Sequence, residues 1–359
     1  MEKSKKTLKM IGICIIGLVI VVAVNMLKKP EDPFKNDNRV KLGYQHVEES
    51  NILNIMQCIA VLLVVAGHSI ETPSPSLFWQ YVHKFIYSFH MPLFMLLSGY
   101  LFFHSRYSNF LDHIKKKASR LLVPYVIISS LFFLPRVLLN NFNSVKVQFS
   151  CSAFLNNLIY PWDNVITQFW FLPTLFLLFL IAPILKYSNN SIVDACCLIV
   201  GVLVHCYSLF SDIKIFNITG VLFYMVYFIL GYMIAKYKAV LQRFVYYNCQ
   251  TLIIIAVLNT AYLILESNDA IKFLLSLVNS YFVMLTAIFY VNKEYKFLDF
   301  CNGYYYHIYL LSWLPLKIVI ILGYKILHIN SEFLYLIEFI AGVFIPLKLK
   351  AVTNLLLRK

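Results

Sequence analysis

His68 closes an apolar run that begins near Asn54 and is long enough to enter a membrane. Keeping an ionisable imidazole inside a lipid-embedded helix is costly, which makes it a candidate functional group. Histidine also changes protonation near neutral pH, as a general base must. Glu71 follows three positions later and can share the same helix face. A carboxylate there raises the basicity of the imidazole and fixes its tautomer. Gln57 precedes His68 by eleven residues, which on a helix is a rise of about 16 Å and a return to within about 20° of the same face. One stripe therefore carries an amide near one mouth and an imidazole–carboxylate pair deeper in. Such a pair can take a proton from a hydroxyl. The plainer alternatives are a structural histidine bonded to a neighbouring helix and a glutamate that reaches surface water.

Other polar groups sit in apolar surroundings nearby. The stretch Phe89–Tyr100 carries His90, Pro92 and the pair Ser98-Gly99. Proline should bend this helix, and the small pair permits close helix approach. Lys115, Lys116, Lys117 and Arg120 then precede Leu121-Leu122-Val123-Pro124-Tyr125. Such a run serves as topogenic charge, or as a grip on phosphate, because guanidinium and ammonium groups suit phosphate oxygens. Trp79, Tyr160, Trp162 and Asp163 fall in segments expected on the outer side, where they can stack on sugar rings or form an interfacial aromatic belt. His205 and Lys317 stand alone and are read as structural.

These groups need elements to position them, and the composition says which kind. The 359-residue chain is 60% hydrophobic and only 13% charged, and apolar runs recur along it. Each is about 18 residues or longer, enough for a ~30 Å hydrocarbon core. The runs are continuous rather than alternating, so they are helices and not barrel strands. Expected spans cover 8–27, 52–70, 84–103, 121–139, 168–185, 192–210, 218–235, 250–266, 271–291, 304–323 and 332–349. The fold class is thus an all-α polytopic membrane protein, with a core of ten helices preceded by an extra N-terminal one. Residues 1–50 form an anchor helix and a polar, proline-containing linker, 51–350 the membrane domain, and 351–359 a tail. The anchor has no small-x-small cleavage site before Lys28.

Net charge is +14, and the basic residues concentrate in alternate short loops. This is topogenic charge and gives no reason to invoke nucleic acid. The positive-inside rule places Lys115–Arg120, Lys186, Lys236, Lys293 and the C-terminus in the cytoplasm. The flanks of the first helix are nearly balanced and do not fix its orientation. Of the eight cysteines only Cys151 is expected outside, so no outer pair can form a disulfide, and no Cys/His spacing marks a metal site.

Five stretches in order resemble the membrane-bound acyltransferase family 3, whose members O-acetylate bacterial surface glycans. They are the Gln57–His68 helix ending Val64-Val65-Ala66-Gly67-His68, the Phe89–Tyr100 helix, Arg120–Tyr125, Trp170-Phe171-Leu172-Pro173-Thr174-Leu175-Phe176, and Tyr306-His307-Ile308-Tyr309-Leu310-Leu311. Together they cover roughly residues 50–350. The resemblance implies a bacterial inner (cytoplasmic) membrane enzyme that takes an acyl group, usually acetyl, from cytoplasmic acetyl-CoA (acyl-CoA) without a metal. A polysaccharide or lipid-linked glycan hydroxyl on the outer side would accept it. It implies that His68 is the base or acyl relay, polarised by Glu71. It also implies that the Gln57 position lies near the donor; read as such an enzyme, the chain has Lys117 and Arg120 for the donor phosphates and His90, Ser98, Trp162, Asp163 and Trp170 as further candidate substrate contacts.

The family carries arginine where this chain has Gln57, which keeps a hydrogen-bond donor but loses charge and fork geometry. Its late helix often ends Tyr-Leu-Leu-His, where this chain has Tyr309-Leu310-Leu311-Ser312. No esterase-like domain of the kind fused to some relatives is present, so acyl handover is expected within the membrane domain or through a separate partner. Two other readings fit the residues. One is a glycan or lipid-linked glycan exporter whose path is lined by His68, Glu71, His90 and Glu266, although no inverted repeat supports it. The other is a catalytically degenerate relative, for which Gln57 is the motive.

Overall fold

The computed structural model describes residues 49–70, 75–142, 146–186, 190–237, 259, 269–292 and 296–349. The spans expected over 8–27 and 250–266, most of the linker, the tail, Glu71 and Glu266 lie outside the described residues. Within them every regular element is helical: α1 (Glu49–Ser69), α2 (Leu77–His104), α3 (Phe110–Leu138), the short α4 (Cys151–Ile159), α5 (Phe171–Ile181), α6 (Pro183–Lys186), α7 (Ser191–Ser208), α8 (Ile218–Lys236), α9 (Asp269–Asn292), α10 (Tyr305–Leu311), α11 (Trp313–Val319) and α12 (Ser331–Lys348). Seven helical stretches among the described residues are long and apolar enough to cross a membrane. An eighth is added if α10 and Trp313–Ile326, bent by 46°, form one span. The protein is a multi-pass membrane protein.

The sequence expectations and the helices differ at several boundaries. α3 begins at Phe110, so Lys115–Arg120 is helical rather than loop. The cause is local: Asn109 caps the helix by accepting from the Asp112 amide at 2.8 Å, and Asp112 pairs with Lys116 one turn on at 3.0 Å. α2 begins at Leu77, seven residues before the expected span, and runs through Pro92 as one helix. The span expected over 304–323 is instead broken at Ser312. α12 coincides with the span expected over 332–349 but is not among the seven, because it carries Glu332, Glu338 and Lys348.

Two helices organise the rest. α1 packs against α2, α9, α10 and α12, while α2 also packs against α8 and α9. Among the described residues the α2–α8 crossing is the tightest between helices. A Cβ on Gly99 would fall 1.9 Å from the Phe228 carbonyl oxygen, and one on Gly231 would fall 1.9 Å from that of Leu96. Backbone meets backbone there, which only glycine allows. This is the close approach expected of Ser98-Gly99, and α8 supplies the matching glycine. α8 itself starts from Asn217, held at φ 55° in the left-handed region that asparagine tolerates. Its side chain caps the Gly220 amide at 3.3 Å and donates to Thr174 Oγ1 at 2.8 Å.

Candidate active site

At the basic end of the bundle the start of α1, the end of α2, the start of α3, α5 and α10 enclose a cavity of about 710 Å³. Gln57, Ser98, Lys117 and Arg120 all line it. Lys117 and Arg120 point into one space because they lie three residues apart on a continuous helix. Lys117 Nζ stands 3.6 Å above the Phe179 ring, and the Arg120 guanidinium lies 5.6 Å from the Tyr306 ring centre. The Tyr306 hydroxyl donates to the Arg120 carbonyl, which ties α10 to α3 at the rim. Tyr305, Tyr306 and Tyr309 form the aromatic wall. Two fixed cations, an amide and an aromatic wall are a suitable lining for an anionic ligand with an apolar part.

A further cation stands beside this cavity. Lys186 Nζ donates to the Ser105 carbonyl and lies 3.2 Å from Ser105 Oγ and 4.7 Å from the Phe102 ring centre, and Ser105 and Phe102 both line the cavity. In the sequence Lys186 was legible only as loop charge. What brings it to the site is the packing of the span's end against the end of α2. The Tyr305–Tyr309 wall was visible as a motif, but the direction its rings take was not.

His68 is elsewhere. It lies near the far end of α1 from Gln57, half-buried, and does not line the basic cavity. The Tyr87 hydroxyl is 3.4 Å from His68 Nδ1, with the two rings edge-on at 6.1 Å. His83 stacks on Tyr87, with ring centres 3.9 Å apart. His90 touches Tyr87 at 4.7 Å and is fixed by donating Nδ1–H to the Ile86 carbonyl at 2.8 Å. His68 and His90 therefore meet through a tyrosine that sequence reasoning missed. Its signal was its position three residues before His90, on the same face of α2.

Trp162, Asp163 and Trp170 lie between α4 and α5. Trp162 and Tyr224 both stack on Trp170, with centroids 4.9 and 5.4 Å away. Trp162 is pinned by donating Nε1–H to Asn217 Oδ1 at 2.8 Å, yet is 51% exposed. Trp170 is buried within the stack, and Asp163 is exposed beside it. Among the described residues no group of His, Cys, Asp and Glu gathers to hold a metal ion.

A family model described as an acyltransferase domain matches residues 50–348. The chain belongs to acyltransferase family 3. It is a membrane acyltransferase, and its basic cavity and its histidine cluster both lie inside the matched region. No curated protein and no solved structure matches the chain.

Proposed function

We propose that this acyltransferase is an O-acetyltransferase of a bacterial inner membrane. It moves an acetyl group from cytoplasmic acetyl-CoA to a hydroxyl of a cell-surface or lipid-linked polysaccharide. The observation that carries the donor assignment is the basic cavity, which unites Gln57 of α1 with Lys117 and Arg120 of α3. By the charge of its loops this end faces the cytoplasm, where acyl-CoA is found. Lys117 and Arg120 hold the donor's phosphates, Lys186 adds positive potential, and Gln57 supplies an amide donor in place of a guanidinium.

His68 is the base. About 16 Å of helix separates Gln57 from His68, so the thioester arm of the donor must run inward along α1 to bring its acyl group to the imidazole. In the tautomer required of the base, Nδ1–H faces the Tyr87 oxygen, 3.4 Å away, and Nε2 is the basic nitrogen. It takes the hydroxyl proton as the acceptor oxygen bonds to the thioester carbonyl carbon. The carbon–sulfur bond then breaks, and the imidazolium returns the proton to the departing thiolate. Base catalysis of this kind contributes typically 10²–10⁴-fold. Glu71 is proposed to polarise the imidazole.

The test is transfer of label from radiolabelled acetyl-CoA to native surface glycan, in membranes carrying wild type or His68→Ala at equal protein level. We expect label with wild type and about 10²–10⁴-fold less with the variant. Equal labelling would remove His68 from the mechanism. Loss of glycan export with acetyl content per sugar unchanged would favour the exporter reading.

A further inference from the structure

A second cavity, of about 320 Å³, opens at the opposite end of the bundle between the start of α2, the end of α7 and the starts of α8 and α9. Tyr87 lines it, and the same Tyr87 hydroxyl contacts His68. Tyr224 lines it too, and is the inner ring of the Trp162–Trp170–Tyr224 stack. Tyr87 therefore borders both the cavity and the proposed base, and Tyr224 borders both the cavity and an aromatic column. Its wall has aromatic faces, which receive the C–H face of a sugar ring. Its size is at the lower end for ligand pockets, which suits one saccharide unit rather than several.

Its charge is the distinctive feature. Lys84 and Lys272 line it together with one carboxylate, Asp269. Asp269 Oδ1 is 3.2 Å from Lys272 Nζ, with both side chains about half exposed, so the pair is easily exchanged for a ligand anion. Lys84 makes no ion pair among the described residues. The other ionisable side chains facing the space are His83, His205, Tyr87, Tyr224 and Tyr227, none of them a carboxylate; His205 is held by a 2.7 Å bond between its Nδ1 and the Phe223 carbonyl. Two lysines against one carboxylate leave excess positive charge, which favours an anionic saccharide over a neutral one.

We propose that this cavity is the acceptor pocket and that it selects a saccharide unit bearing an anionic group. Lys84 and Lys272 hold the anion, Tyr224 underlies the ring, and Tyr87 borders both the sugar and His68. The assignment as acceptor rests on the acetyltransferase reading above. The preference for an anionic saccharide rests on the cavity alone. The anion is a sugar carboxylate or a sugar phosphate, and the two sources are separated by experiment.

The probes are a glucuronic-acid oligosaccharide, the glucose oligosaccharide of the same linkage, and a glycosyl phosphate. Binding of each to the purified full-length protein is measured by quenching of its intrinsic tryptophan fluorescence, and acetyl transfer to each is measured separately. We expect at least one anionic probe to bind about tenfold or more tighter than the neutral one, as charge-assisted contacts would give. Whichever anionic probe binds identifies carboxylate or phosphate. Lys84→Gln with Lys272→Gln should erase the preference and leave the KM for acetyl-CoA unchanged. Lys84→Arg should keep it, which guards against a merely misfolded variant. Equal binding of neutral and anionic probes by wild type would overturn the proposal, as would an anionic preference that survives in the double variant. Anionic preference without transfer to any probe would uphold the pocket and sink its role as acceptor site.

Discussion

The two cavities lie towards opposite ends of α2 and are built from different chemistry. The larger, at the basic end, draws Gln57 from α1 and Lys117 and Arg120 from α3, and is walled by tyrosines of α10. The smaller is bordered by the His68–Tyr87 contact and combines histidines, tyrosines and two lysines opposed by one carboxylate. One has the fixed positive charge that holds a large anion. The other borders His68, the proposed base. On the proposed function the contrast is a division of labour, with the donor gripped at one end and the chemistry at the other, where its reactive tip would arrive. α1 carries a residue of each end, and α2 lines both cavities, so the α1–α2 pair keeps the two halves in register.

The largest effect should come from breaking what both cavities share. Gly99→Ala places a Cβ 1.9 Å from a backbone oxygen of α8 that cannot swing aside. The helices must part, at a cost of about 1–3 kcal/mol or more. A lowered Tm and a shrunken monodisperse fraction in detergent would report it, with donor and acceptor functions lost together. Retention of either function alone would show that the ends are not coupled through this crossing.

Next comes a variant confined to the basic end. Arg120→Ala should raise the KM for acetyl-CoA roughly 10–100-fold while kcat at saturating donor changes much less, since a charged hydrogen bond is worth about 1.5–3 kcal/mol. Arg120→Lys should fall between, because it keeps the charge but not the fork. A fall in kcat with no change in KM would place Arg120 at the reacting atoms instead.

Smaller again is Tyr87→Phe, at the other end. The hydroxyl is 3.4 Å from the imidazole, a long contact, so its loss should lower kcat only several-fold and leave the donor KM alone. An unchanged kcat would remove Tyr87 from the positioning of His68. The smallest effect is expected from Gln57→Arg, which restores the family's charge beside two cations already present. The KM for acetyl-CoA should fall a few-fold. Activity appearing only in that variant would identify the natural chain as a degenerate member.

Much of this molecule was legible in the sequence. Long continuous apolar runs can be nothing but helices in lipid, because backbone groups there must bond internally. Motif order carried the family, and eleven-residue spacing put Gln57 and His68 on one helix. Boundaries were less legible where charge interrupts the hydropathy: Lys115–Arg120 looks like loop until the Asn109 cap and the Asp112–Lys116 pair are seen to make it helix. Lys186 and Tyr87 were hidden because each becomes part of a site only through contact with another helix.

The sequence by itself therefore determined the class, the family and the identity of the titratable groups, since these follow from local hydropathy and from residue order. Only the tertiary structure decided that Gln57, Ser98, Lys117 and Arg120 share one cavity while His68 faces Tyr87 at the other end. Apolar helices can pack in many rotational settings of nearly equal hydropathy. Close glycine crossings and a few polar contacts select one of them, and those are pairings between residues far apart in the chain.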